Sequence, residues 1–241
     1  MSTPRLILVA GASGSGKSRL ARHSHCLQFR LDDFYFDEAR VLGELARPAE
    51  GKEEVDERSE EHLDEARVRE EVARLTGVNE QAEQEGQPEV RVPITSYGII
   101  DWDDPAVWDA GAALDALREL MQSGEVEVPE YSIPLSRAVG RHRLRLDGRT
   151  CILAEGIFAI EMLGHLQDAG IPATAIYLDR PGWLVFLLRL RRDLALKRKP
   201  PHVLLRRGLA LWRAQPALKR RALAAGFTPL PMKPALAAVG S

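Results

Sequence analysis

The chain has 241 residues, 45% of them hydrophobic and 28% charged, with a formal net charge of −2. That length suits one large α/β domain, or one such domain with an insertion, and the near-neutral total argues against a general polyanion binder. The charge is uneven, however: residues 37–90 hold 18 acids against 7 bases, and residues 180–221 hold 13 bases against one acid. A basic block in a near-neutral chain points to a local anionic ligand.

In chain order, PRLILVAG (4–11) is an apolar run closing on glycine, the pattern of a buried parallel strand. KSRLARHSHC (17–26) reads as a helix and LQFRLDDF (27–34) as a second strand. Residues 38–95 form an acidic, partly helical insertion in which 53–75 read as a solvated helix. The segment 104–124 predicts a helix with Asp104 as N-cap, Pro105 at its first position and Gly124 as its stop. EVEVPEY (125–131) predicts a short strand ended by Pro129, and RHRLRLDGRTCILAEG (141–156) a hairpin turning at Asp147-Gly148. CILAEG and ATAIYLDR (173–180) read as buried strands. Residues 182–221 predict a basic, mostly helical region, broken near Pro200-Pro201 and again near Pro216. Strands alternating with helices predict one α/β domain over 1–241, with a mostly parallel sheet flanked by helices.

Cys26 and Cys151 lie in apolar contexts without metal-ligand spacing and read as buried, inert thiols. The six histidines form no cluster and read as structural or surface residues. LILVA is too short for a signal peptide's apolar region, and WLVFLL (183–188) is far too short to span a bilayer. The expectation is a cytoplasmic protein with neither a membrane nor a nucleic acid as partner; a homo-oligomer stays open.

GASGSGKS, residues 11–18, satisfies G-x-x-x-x-G-K-[ST] in full, between a predicted strand and a predicted helix, so the expected fold is a P-loop NTPase-type parallel sheet flanked by helices. Gly11, Gly14 and Gly16 let the backbone bend tightly, so that its N–H groups, with Ala12, Ser13 and Ser15 completing the loop, can cradle a phosphate. Lys17 can reach the β- and γ-phosphates of a nucleoside triphosphate, and Ser18 can offer its hydroxyl to Mg2+. Ligands of such sheets bind at the carboxyl ends of the strands, and three predicted strands end in acids: FRLDD, CILAEG and AIYLD. Glu155 is suited to hold the metal, directly or through water. A carboxylate beside the phosphate loop suits the alignment and deprotonation of an acceptor hydroxyl.

With GASGSGKS, LDDFY, DWDDP, VPEY, LAEGIF and RLRRD in this order, the chain resembles the uridine kinase family of P-loop kinases over residues 5–37 and 97–220. The resemblance implies ATP and Mg2+ as cofactors and a small-molecule hydroxyl as acceptor. It implies Asp32 as catalytic base, and Tyr35, Asp103 and Tyr131 as acceptor-binding residues. Glu155 matches the magnesium-associated glutamate. Arg189 and Arg192 match lid arginines that grip ATP phosphates and act in transfer with Lys17, and Lys197 stands where another arginine is usual. The family's pyrimidine kinases carry a histidine shortly after the tyrosine matched by Tyr131; a gapless count puts Ser136 there. The expected function is therefore transfer of the γ-phosphoryl group of ATP to a uridine- or cytidine-like nucleoside. The alternatives are another acceptor (a ribosylated vitamin, a pantothenate-like compound or a sugar) or a nucleotide-binding regulator. Successive strand residues face opposite ways, so Asp32 and Asp33 should not share one role; Asp33 reads as a supporting or turn acid.

Overall fold

The computed structural model of the chain describes residues 3–43, 100–195 and 201–240. Most of the acidic insertion thus lies outside the described residues. The chain divides into two compact units: Met1–Phe34, Ala110–Glu130 and Gly140–Ser241 make the first, and Tyr35–Asp109 and Tyr131–Val139 the second.

The chain begins with β1 (Arg5–Ala10), α1 (Lys17–His23) and β2 (Leu27–Arg30), followed by a 3-10 turn over Leu31–Phe34 and a short α2 (Glu38–Gly43). After Ile100 come a 3-10 turn at Pro105–Val107, α3 (Ala110–Ser123), β3 (Glu125–Ser132) and β4 (Arg137–Arg145). β5 (Cys151–Glu155), α4 (Ala159–Asp168), β6 (Thr174–Leu178) and α5 (Gly182–Ala195) follow, then α6 (Pro201–Ala224), β7 (Thr228–Leu230) and α7 (Met232–Gly240).

Five strands form one sheet in the order β2-β5-β1-β6-β7, and every pairing in it is parallel. The central strands β1 and β5 are apolar on both faces, as expected of a sheet covered on both sides. Ile7, Val9, Leu153, Ile176 and Leu178 point to one face, where they meet Leu20 of α1 and Ala235 and Val239 of α7. Leu6, Leu8, Ile152 and Tyr177 alternate to the other face and are fully buried. Each such Leu or Ile contributes about 1.5–3 kcal/mol on burial. No helix among the described residues is long and apolar enough to cross a membrane.

Local signals read as expected where they are self-contained. Asp104 acts as a cap, its side chain accepting from Ala106 N at 2.8 Å, and Gly124 closes α3 with φ 82°. The helix expected over 104–124 is divided, however, because Asp104 caps a 3-10 turn over Pro105–Val107, Trp108 is extended, and α3 starts only at Ala110. Other expectations change as well. LQFRLDDF does not stay a strand: β2 stops at Arg30 and both aspartates ride on a 3-10 turn. Asp147 and Gly148 do turn, with φ 45° and 80°, but their flanks enter different sheets. β4 pairs with β3, which runs through Pro129. Among the described residues β3 and β4 form a two-stranded ribbon, and proline is tolerated on such edge strands. Pro216 lies inside α6 and does not break it.

A further change concerns the cysteines: Cys26 and Cys151 are joined as a disulfide. Leu27 pairs with Ile152 in register, so the residues just before them stand side by side, with Cα atoms 4.7 Å apart, inside the disulfide range. The bridge closes a sequence separation of 125 residues. Reduction should therefore lower the unfolding free energy by about 2–5 kcal/mol. Urea midpoints of oxidised and thiol-treated protein test this; identical midpoints, or two free thiols by mass in the untreated protein, would refute it.

Candidate functional site

The sheet brings the carboxyl ends of β1, β2, β5 and β6 to one edge. β1 ends at Ala10 and α1 starts at Lys17, so GASGSGKS fills the connection. Gly14 and Gly16 have φ 87° and 100°, a left-handed backbone that side chains rarely adopt. Both are also crowded: a Cβ on Gly14 would meet Arg189 Cβ at 3.0 Å, and one on Gly16 would meet Met232 Cε at 3.0 Å. Ser15 N donates to Ala12 O at 3.0 Å, which tightens the turn. Ala12 and Ser13 are partly exposed, while Ser15 is buried with its hydroxyl unpartnered. Lys17 is buried and curls back, its Nζ donating to Gly11 O at 2.8 Å.

Glu155, at the end of β5, is only 5% exposed. Its Oε1 accepts from Ser18 Oγ at 2.8 Å and from Gln28 Nε2 at 3.0 Å. The sequence reading paired Ser18 with Glu155 but missed Gln28. The signal was a lone amide in a strand whose alternate residues are apolar.

The two aspartates separate cleanly. Asp32 Oδ1 accepts from the backbone N–H of Ile157 at 3.0 Å. Burial pushes the Asp32 carboxyl above the ordinary aspartate range; the Lys17 ammonium opposes this shift and the Glu155 carboxylate adds to it. Lys17 and Glu155 are thus electrostatic neighbours of Asp32. Asp33 is 2% exposed and pairs with Arg30 Nη1 at 3.4 Å. It is a buried ion-pair acid on the turn. Strand alternation could not have separated the two, because the strand has already ended.

On α5, Arg189 packs over Gly14 of the loop. Arg192 lies on the same helix, but its side chain is outside the described residues, as is all of Lys197. Among the described residues, no three His, Cys, Asp or Glu gather as a metal-binding group.

The remaining predicted residues belong to the second unit. Tyr35 and Tyr131 lie ring to ring at 5.3 Å, and Trp102 meets Tyr35 edge-on at 5.8 Å. The Tyr35 hydroxyl donates to Trp102 O at 3.0 Å and the Tyr131 hydroxyl to Phe36 O at 3.3 Å. Burial, with Asp37 and Glu38 nearby, raises Tyr131 well above the usual phenol range. Asp103 accompanies this cluster in sequence, its N–H donating to Asp101 Oδ1 at 3.1 Å. Trp108 is buried as packing. Ser136, at the position of the expected base-reading histidine, has φ 50° and gives its carbonyl to Glu38 N at 2.9 Å.

No family model matches the chain, and no curated protein sequence matches it. Solved structures are similar at low identity. A proposed fructose transport system kinase from Silicibacter sp. TM1040 is 15% identical over 96% of this chain and 91% of its own, with a TM-score of 0.49. The YGR205w protein is 13% identical over 97% and 88%, with a TM-score of 0.45. D-glycerate 3-kinase from Cryptococcus neoformans var. grubii is 11% identical over 97% and 88%, with a TM-score of 0.47.

Gly156 is where the acids meet the backbone most tightly: a Cβ there would stand 2.6 Å from Asp32 Oδ1 and 2.8 Å from Leu31 Cβ. Gly156→Ala should therefore displace the 3-10 turn and destabilise the fold by about 1–3 kcal/mol. Thermal or urea melts measure this, and an unchanged midpoint would show that the turn yields freely.

Proposed function

We propose that the chain is an ATP- and Mg2+-dependent kinase that transfers the γ-phosphoryl group to a hydroxyl of a small molecule, a uridine- or cytidine-like nucleoside first. The observation that carries this reading is the convergence at the strand ends: Ser18 hydrogen-bonded to Glu155 at 2.8 Å beside a complete phosphate loop, with Asp32 coupled electrostatically to Lys17 and Glu155.

The loop from Gly11 to Ser18, Ala12, Ser13 and Ser15 included, would hold the triphosphate through its backbone N–H groups and Lys17. Ser18 and Glu155 offer hard oxygen donors, which fits Mg2+, an ion bound by one or two protein oxygens together with phosphates and water. When bound, Mg2+ supplies charge neutralisation at the phosphoryl oxygens. Asp32, oriented by the Ile157 N–H, would align the acceptor hydroxyl and take its proton. Arg189, Arg192 and Lys197 would neutralise charge around the transferring group. Tyr35, Asp103 and Tyr131 would bind the acceptor. Both tyrosine hydroxyls already donate to backbone carbonyls, so the tyrosines would offer ring faces rather than hydrogen bonds. Catalysis of this kind is mostly positioning and electrostatics.

Ser136 supports a second reading, a kinase acting on an acceptor other than a pyrimidine nucleoside, since a site lacking a hydrogen-bonding partner for its substrate loses much discrimination. ADP release over a panel of nucleosides, ribosylated vitamins, pantothenate-like compounds and sugars, with product mass, separates the two. ADP release that no acceptor stimulates would count against both.

Asp32→Asn should lower transfer by at least about 100-fold and leave ATP affinity within a few-fold; wild-type turnover from it would remove Asp32 as base. The base works deprotonated, and its carboxyl is raised by burial. The acid limb of kcat/KM should thus lie above the ordinary aspartate value of about 3.9, with activity lost as pH falls through it. An acid limb at or below that value would contradict the assignment.

A further inference from the structure

The connection from β6 to α5 is fastened from outside by one face of α6. Lys219 Nζ pairs with Asp179 Oδ2 at 2.8 Å. Gln215 Nε2 donates to the backbone carbonyl of Arg180 at 2.8 Å. Trp212 lies so close to Gly182 that no Cβ would fit there. Positions 212, 215 and 219 fall on one helical stripe. From the sheet, Asp179 N adds a bond to Leu230 O at 2.9 Å. The backbone of Arg180 is therefore held on both sides.

Its side chain is not. Arg180 Nη2 sits 3.9 Å from where a Cβ on Gly16 would stand, against the phosphate loop. Among the described residues, Arg180 Nε is buried with no hydrogen-bond partner. Its neighbouring acid, Asp179, is taken by Lys219, and among the described residues no carboxylate pairs with Arg180. A buried, unpartnered guanidinium donor is costly and calls for a partner. Beside an anion cradle, the partner of matching chemistry is a phosphate, which a planar guanidinium can grip with paired N–H donors.

We propose that Arg180 is a phosphate-binding arginine of the nucleotide site, preset by the α6 clamp. This rests on the kinase reading above and adds a cation that the sequence reading did not single out. Arg180 and Arg189 then bracket the loop, one beside Gly16 and one beside Gly14. Arg189 is borne on a helix, whereas Arg180 stands on a connection locked at the end of β6.

Calorimetric titration with ATP, ADP and adenosine tests this on the wild type, Arg180→Ala, Arg180→Gln and, as a control, Arg149→Ala. Arg149 lies at the opposite end of the sheet, just before β5. Arg180→Ala should weaken ATP and ADP by about 10- to 100-fold and leave adenosine within about twofold, since the lost contact is to phosphate. Arg180→Gln keeps the stem without the charge and should show the same selective loss if the alanine variant fails to fold. Arg149→Ala should bind all three as the wild type does. Unchanged ATP affinity in both Arg180 variants would overturn the assignment alone. So would an equal loss for ATP and adenosine with a lowered melting temperature, which would mark Arg180 as structural. A wild type that binds no ATP would overturn the kinase reading and this assignment with it.

Discussion

The candidate site depends on one buried carboxylate. Glu155 Oε1 accepts from Ser18 on α1 and from Gln28 on β2, so a single oxygen ties together the phosphate loop's helix and two strands. A buried carboxylate without such partners would be strongly unfavourable. The arrangement is available because the strands are parallel and Glu155 stands in register with Val9 on one side and Arg30 on the other. Shifting either pairing by one residue would turn Glu155 to the other face of the sheet.

The same two strands are also held at their opposite ends. Cys26 and Cys151 join the starts of β2 and β5, while Gln28 and Glu155 join them further along. The turn that carries Asp32 and Asp33 follows directly on β2. Its footing is thus fixed covalently below and by a hydrogen bond at the site. Asp33 adds an ion pair with Arg30 within the turn, and the Phe29 and Phe34 rings stack at 5.4 Å. These contacts leave Asp32 as the acid directed at Ile157.

Polar groups are handled differently in the two units. In the first, Ser18, Gln28 and Glu155 bond to one another, Lys17 and Asp32 bond to backbone, and Ser15 Oγ and Arg180 Nε are buried without a hydrogen-bond partner among the described residues. In the second, the two tyrosine hydroxyls satisfy backbone carbonyls, and the Asp37 side chain accepts from Ala138 N at 2.7 Å. The first pattern leaves buried polar groups unsatisfied, which is costly in a folded chain. The second ties a packed aromatic cluster to the backbone.

What was legible in the sequence is what short-range chemistry dictates. The glycine spacing and lysine of residues 11–18, the Asp104-Pro105 cap, the Gly124 stop and the apolar strands ending in Glu155 and Asp179 each depend on a few neighbouring residues. They could be read without knowing what lies across the sheet. The tertiary structure decided whatever depends on register and on helices packing from afar. It joined two cysteines that looked like separate thiols, gave β4 to β3 rather than to β5, and ended β2 before its aspartates. It also carried α6 through Pro216, so that Trp212, Gln215 and Lys219 reach the Arg180 connection. These contacts link residues tens to more than a hundred positions apart, and no local pattern encodes which strand will lie beside which. The sequence by itself determined that a phosphate-loop motif and acids at the predicted strand ends exist; only the folded sheet decided which acid bonds to Ser18, and that Arg180 Nε is buried without a hydrogen-bond partner among the described residues.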